Sequence, residues 1–360
     1  MPEYRIHKLS PLRPSTVGLI FITILILCSC SNKVPEPLSP PVDLVWPGGE
    51  ETPRIRFVGS FSRPEDIQIS KSFFQQFWGY IVGQEDNSLI APYAISSDSK
   101  GNFLVVDSYL KKIHSFDTTA GKFHSFPPDD QPMAFPIGIA TDDLSGKIYV
   151  TDSKEGLVKV FQGVEDSSPL TIGEGLLQRP TGVAVNKISN ELLVVDTKLS
   201  HIFRFDLQNL RLLGRFGDKG EAAGEFNHPT NITVSADGLI IITDSLNFRI
   251  QVYSGSGKFL RTFGSAGDSP GHFSRPRGIA CDSDNHIYVV DALFDNIQIF
   301  NREGQLLMDF GKSGREFGEF WMPAGIHIDQ KDMIYVADSY NRRIQIFQYL
   351  KQDGSHNEDN

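Results

Sequence analysis

The sequence predicts an all-β chain built from six copies of one strand-rich unit, and three observations predict it. Six hydrophobic runs end in aspartate: NFLVVDS (102–108), KIYVTDS (147–153), ELLVVDT (191–197), LIIITDS (239–245), HIYVVDA (286–292) and MIYVADS (333–339). These place Asp107, Asp152, Asp196, Asp244, Asp291 and Asp338 at spacings of 45, 44, 48, 47 and 47. Each run is preceded by a Pro-x-small-aliphatic start, at Pro92, Pro136, Pro180, Pro229, Pro276 and Pro323. Each is followed by an alternating segment such as HIFRF (201–205), RIQVY (249–253) or RIQIF (343–347). Period-two alternation bounded by Gly, Asp and Asn turns marks strands. Repeats of about 40–50 residues made only of strands suggest propeller blades, and the missing 3.6 period excludes a helical solenoid.

The chain of 360 residues is 40% hydrophobic and 22% charged, with 32 Gly and 21 Pro, which excludes wholesale disorder, collagen and coiled coil. Its formal net charge is −10, and the first 29 residues carry three cations against one anion, so the remainder is more acidic still. Such a body is a poor match for a phosphate backbone, and no nucleic acid partner is expected.

Residues 1–29 read as a signal. Arg5, Lys8 and Arg13 precede an apolar run over 17–27, followed by Cys28-Ser29-Cys30. The run is shorter than the roughly 20 residues a transmembrane helix needs. Leu27-Cys28-Ser29-Cys30 resembles the bacterial lipoprotein box, which implies acylation of Cys30 and attachment to the membrane through an N-terminal lipid. Cys28 is the weaker choice, because bulky Leu27 would then precede the cleavage site. Ser31 in place of Asp points to the outer membrane of the bacterial cell envelope, facing the periplasm or the surface. Of three cysteines only Cys281 then remains, so neither a disulfide framework nor a disulfide-linked oligomer is expected. Residues 30–53 are Pro-rich and read as a semi-rigid linker. Trp46 lies within it, placed equally well at the membrane interface or against the folded body.

The pattern P-x-G-I-A…D-x-x-G-x-I-Y-V-x-D-S-x-N-x-R-I-Q-x-F resembles the NHL repeat, and 229–253 and 323–347 match it most completely. That resemblance implies a six-bladed β-propeller over 54–350. The sixth unit ends near Leu350 after three strands, while RIRFVGSF (54–61) resembles the fourth-strand segment KFLRTFGS (258–265). The N-terminal strand is therefore expected to close the last blade and remove an exposed edge. Residues 70–83 carry one apolar face at helical spacing and predict a short amphipathic helix. Residues 351–360 are polar and read as a disordered tail.

The six repeated aspartates sit at strand ends, where a carboxylate accepts N–H bonds from the following turn. They read as structural, together with Asn247 and Arg249, and Asn341 and Arg343, which reach the same carboxylates. The variable position after each inner-strand Pro faces the channel mouth. It is Tyr93, Ile137, Thr181, Thr230, Arg277 and Ala324 in turn. Tyr93, Thr181, Thr230 and Arg277, with neighbouring Arg275, are the candidate ligand or partner contacts. No catalytic residue, metal ligand or cofactor is assigned. The leading reading is a noncatalytic, lipid-anchored interaction module that binds a protein or envelope component through one propeller face. The alternative is a metal-dependent propeller lyase or hydrolase acting on a small exported substrate, with Asn231 and His327 as inner ligands.

Overall fold

A computed structural model describes residues 43–67, 87–98, 101–118 and 120–351. The signal, Cys30, most of the 30–53 linker, the helix expected over 70–83 and the tail beyond Lys351 lie outside the described residues. Among the described residues there is no α-helix, only single 3-10 turns at Pro64–Ile67, Ser245–Asn247 and Ser339–Asn341.

Six antiparallel sheets form the blades of a propeller, the first five running in chain order from inner to outer strand and the sixth completed on its outer side by N-terminal strands. The inner strands are Pro92–Ser97, Pro136–Asp142, Pro180–Asn186, Pro229–Val234, Pro276–Cys281 and Ile326–Ile328. Every second strand ends on a repeated aspartate, as in Phe103–Asp107 and Met333–Asp338. These second strands are buried almost throughout, because both faces pack against neighbouring blades. The apolar core is accordingly divided into six clusters, each joining two adjacent blades around the ring.

The ring closes as the repeat arithmetic requires. Ile55–Phe61 pairs antiparallel with Arg343–Tyr349, from Ile55 opposite Tyr349 to Phe61 opposite Ile344. Val45–Trp46 then adds a fifth strand outside it, so part of the segment read as a linker belongs to blade six. Trp46 packs against the body, its ring 5.8 Å from both Phe310 and Phe347.

Inner strands crowd one another around the axis, which explains the Gly or Ala two places after five of the six repeat prolines. A Cβ on Gly138 would lie 2.1 Å from the Thr181 carbonyl oxygen, so no larger residue fits without moving a strand. The residue after each repeated aspartate ties its blade to the next. Ser108, Thr197, Ser245 and Ser339 donate to the carbonyls of Pro136, Pro229, Pro276 and Pro92 at 2.6–2.8 Å. Ser153 does the same to Pro180. Ala292 stands at the remaining position and has no hydroxyl. There the buried Asp295 carboxylate accepts the Met322 N–H at 2.7 Å and makes the link between blades five and six.

Candidate functional site

The repeated aspartates divide into two sets, and all six are fully buried. In blades one, two, three and five each accepts four backbone N–H groups; Asp196, for example, takes those of Gln178, Arg179, Lys198 and Leu199. The other three of this set make the same four contacts. In blades four and six side chains replace most of those donors. Asp244 accepts from the Asn227 N–H, the Asn247 and Gln251 amides and Arg249 Nε. Asp338 accepts in the same way from Trp321, Asn341, Gln345 and Arg343. Burial raises both carboxyls above their ordinary value, and these hydrogen bonds oppose it. Carboxylates saturated in this manner have no lone pairs left for a ligand.

The starts of the inner strands build one mouth of the central channel, a cavity of about 370 Å³. Tyr93, Ile137, Thr181, Thr230 and Arg277 all line it, as does Arg275. Ala324 does not: its N–H bonds the Ala337 carbonyl, it is buried, and the inner strand of its blade begins only at Ile326. The cavity also takes in Phe135, Arg179 and His228, which precede a repeat Pro, and Leu246, which follows Ser245. The sequence reading missed these because it followed the residue after each Pro and took a residue before Pro only at Arg275. The signal was present as the residues flanking the Pro and Asp-Ser landmarks, which share the turn end of each blade.

Three arginines and one histidine line this mouth, and no Asp or Glu does. Arg277 is half-buried, while Arg179 and Arg275 are exposed. Burial draws the Arg277 guanidinium below its ordinary value; Tyr93 and Tyr340 oppose this and Arg275 adds to it. Thr181 spends its hydroxyl on Thr197, 2.8 Å away, whereas Thr230 Oγ1 is buried without a partner among the described residues.

The opposite end is a cavity of about 440 Å³ lined by the later part of the inner strands, with Asp98, Asp143 and Asp329 beside Lys187 and His327. His327 Nε2 lies 2.7 Å from Ser97 Oγ, and burial pulls its imidazole down to about 4, so it is neutral at neutral pH. Asn231 borders both cavities. Among the described residues no three His, Cys, Asp or Glu side chains are grouped to hold a metal. Cys281 is a free thiol whose ionisation burial suppresses.

Comparison with known proteins agrees with this architecture. A family model described as a six-bladed β-propeller matches residues 223–294 and 280–356. Over 90 residues the chain is 36% identical to protein Brain tumor of Drosophila melanogaster, a stretch making up 24% of this chain and only 8% of that protein. Among solved structures, an auxiliary nutrient binding protein of Bacteroides ovatus superposes with a TM-score of 0.58 at 12% identity, covering 73% of this chain and 70% of that one. Virginiamycin B lyase of Staphylococcus aureus gives 0.54 at 16% identity, covering 72% and 96%. Structures this distant in sequence share the fold alone, and the fold of this chain is a six-bladed β-propeller.

Proposed function

We propose that the chain is a noncatalytic binding module of the bacterial envelope, anchored through acylated Cys30, with the Pro-rich segment as spacer and the basic mouth as its contact face. The observation that carries this reading is the convergence of five nonrepeated side chains, from five different blades, on one cavity. Repeated residues serve the blade, and variable residues gathered at a mouth serve recognition. The fold is shared by a protein named for nutrient binding and by a lyase, so the fold itself does not separate binding from catalysis.

Site-specific photo-crosslinking of the full-length protein in living cells tests the face. Tyr109 is 72% exposed and is the blade-one counterpart of cavity-lining Leu246; Leu170 is 56% exposed on the outer strand of blade two. A crosslinker at position 109 is expected to give envelope adducts and one at 170 none. Adducts from 170 alone, or stoichiometric tightly bound metal in the purified protein, would overturn the reading. Labelled palmitate tests the anchor: incorporation is expected to vanish in Cys30→Ser and persist in Cys28→Ser, and the reverse pattern would move the anchor to Cys28.

A further inference from the structure

We infer that the basic mouth binds the carboxylate or phosphate group of a small organic molecule with an apolar body, with Arg277 as its charge partner. This rests on the reading of that mouth as the contact face and adds the chemical class of what it holds. The first support is charge. The protein carries 44 acidic against 34 basic residues, yet this cavity gathers Arg179, Arg275 and Arg277 without one carboxylate in its lining.

Pairing is the second support. Three other half-buried arginines are matched by carboxylates: Arg204 binds Glu191 at 2.6 Å, and Arg249 and Arg343 bind Asp244 and Asp338 at 2.8 Å. Arg261, also half-buried, donates to the Arg302 carbonyl. Arg277 has no carboxylate or hydrogen-bond acceptor among the described residues, and Arg275 adds like charge beside it. A half-buried guanidinium without a counter-charge costs folding free energy, and a bound anion offsets that cost.

The third support is Thr230, whose buried hydroxyl lacks a partner within the same cavity. An anionic oxygen seated against Arg277 accepts from such a hydroxyl. Phe135 and Leu246, 43% and 49% exposed, flank the cavity and offer apolar surface to the rest of the ligand. A volume of about 370 Å³ suits a small molecule. The acidic opposite end, with Asp98, Asp143 and Asp329, repels an anion and leaves the basic mouth as the entrance.

Calorimetric titration of the full-length protein in detergent, at low and physiological salt, tests this with inorganic phosphate, phenyl phosphate, benzoate and a short oligothymidylate. One aromatic anion is expected to bind at one site per chain, about tenfold or more tighter than inorganic phosphate, and to weaken with salt. Preference for phenyl phosphate or for benzoate identifies the headgroup. Arg277→Gln is expected to weaken binding about tenfold or more, Arg277→Lys less, and Thr230→Val about threefold or more. Without ligand, Arg277→Gln is expected to melt no lower than wild type, since it removes an unpaired charge. The inference is overturned if neither aromatic anion binds, if Arg277→Gln binds equally well, if the oligothymidylate binds better than both, or if Arg277→Gln melts as low as Arg249→Gln. Failure of every anion while crosslinks from position 109 persist would refute this ligand class and leave the contact face standing.

Discussion

Asp244 offers a direct test of how the blades are held. Its carboxylate is fully buried and accepts from the Asn227 N–H at 2.7 Å, Asn247 and Arg249 at 2.8 Å, and Gln251 at 3.1 Å. Asp244→Ala leaves these donors without their acceptor and leaves Arg249, 13% exposed, without its counter-charge. Breaking a buried pair from one side costs about 3–5 kcal/mol. Arg249 keeps the carbonyls of Glu221, Ala222 and Glu225 at 2.7–2.9 Å, which places the expectation near the lower limit, about 3 kcal/mol. Adding Arg249→Met to the alanine variant removes the stranded cation and should recover about 1 kcal/mol. Equilibrium denaturant unfolding of the three proteins measures both numbers. A loss below about 1 kcal/mol, or a double variant less stable than Asp244→Ala, would refute the assignment of Asp244 as a buried anchor for Arg249.

Three further outcomes follow from the fold. Deleting residues through Phe61 exposes the edge of Arg343–Tyr349 and should promote aggregation, read by light scattering; an equally heat-stable, non-aggregating truncation would show that the ring does not depend on this strand. Asp295→Ala should cost about 1–3 kcal/mol in unfolding free energy by stranding the Met322 N–H, and adding Ala292→Ser, which supplies the hydroxyl used at the other junctions, should return part of it. Burial lowers the His114 imidazole from 6.5 to about 4, and both ring nitrogens lack partners among the described residues. Because the folded state favours neutral imidazole, this contribution is fully present above pH 6.5 and is lost as pH falls toward 4. The loss should reach about 2–3 kcal/mol at pH 4.5. In His114→Phe the stability-versus-pH curve should flatten over that window, and curves parallel to wild type would refute it.

The blades were legible because each announces itself twice, by a Pro-x-small start and by a hydrophobic run into Asp, and crowding at the axis and burial at the blade interface demand both. The closing strand was legible as well, since RIRFVGSF is long enough to show alternation and the sixth unit lacks its fourth strand. Val45–Trp46 was not: two residues carry no periodicity, and the surrounding prolines argue for a spacer. Only part of the mouth was visible. Counting from Pro found Tyr93, Thr181, Thr230 and Arg277, but Arg179 and Phe135 enter through the turn before Pro, whose path depends on tertiary packing. Pattern carries no trace of Thr230 lacking a partner or Arg277 lacking a carboxylate, because satisfaction of a polar group is a property of three-dimensional neighbours. The Asp295 link was equally hidden, since it fills one gap in an otherwise regular series of hydroxyls.

The pairing of Ile55 with Tyr349 also sets a clock. Nearly the whole propeller separates these two strands along the chain, so the last junction has the largest loop-closure entropy and forms after local hairpins. On a chain delivered from its N-terminus, Ile55–Phe61 emerges first and finds its partner last. Throughout that interval an apolar strand waits unpaired while successive blades assemble behind it. Such a species is prone to join the wrong chain, and its survival depends on how quickly the C-terminal blade arrives or on a holdase that covers the strand meanwhile.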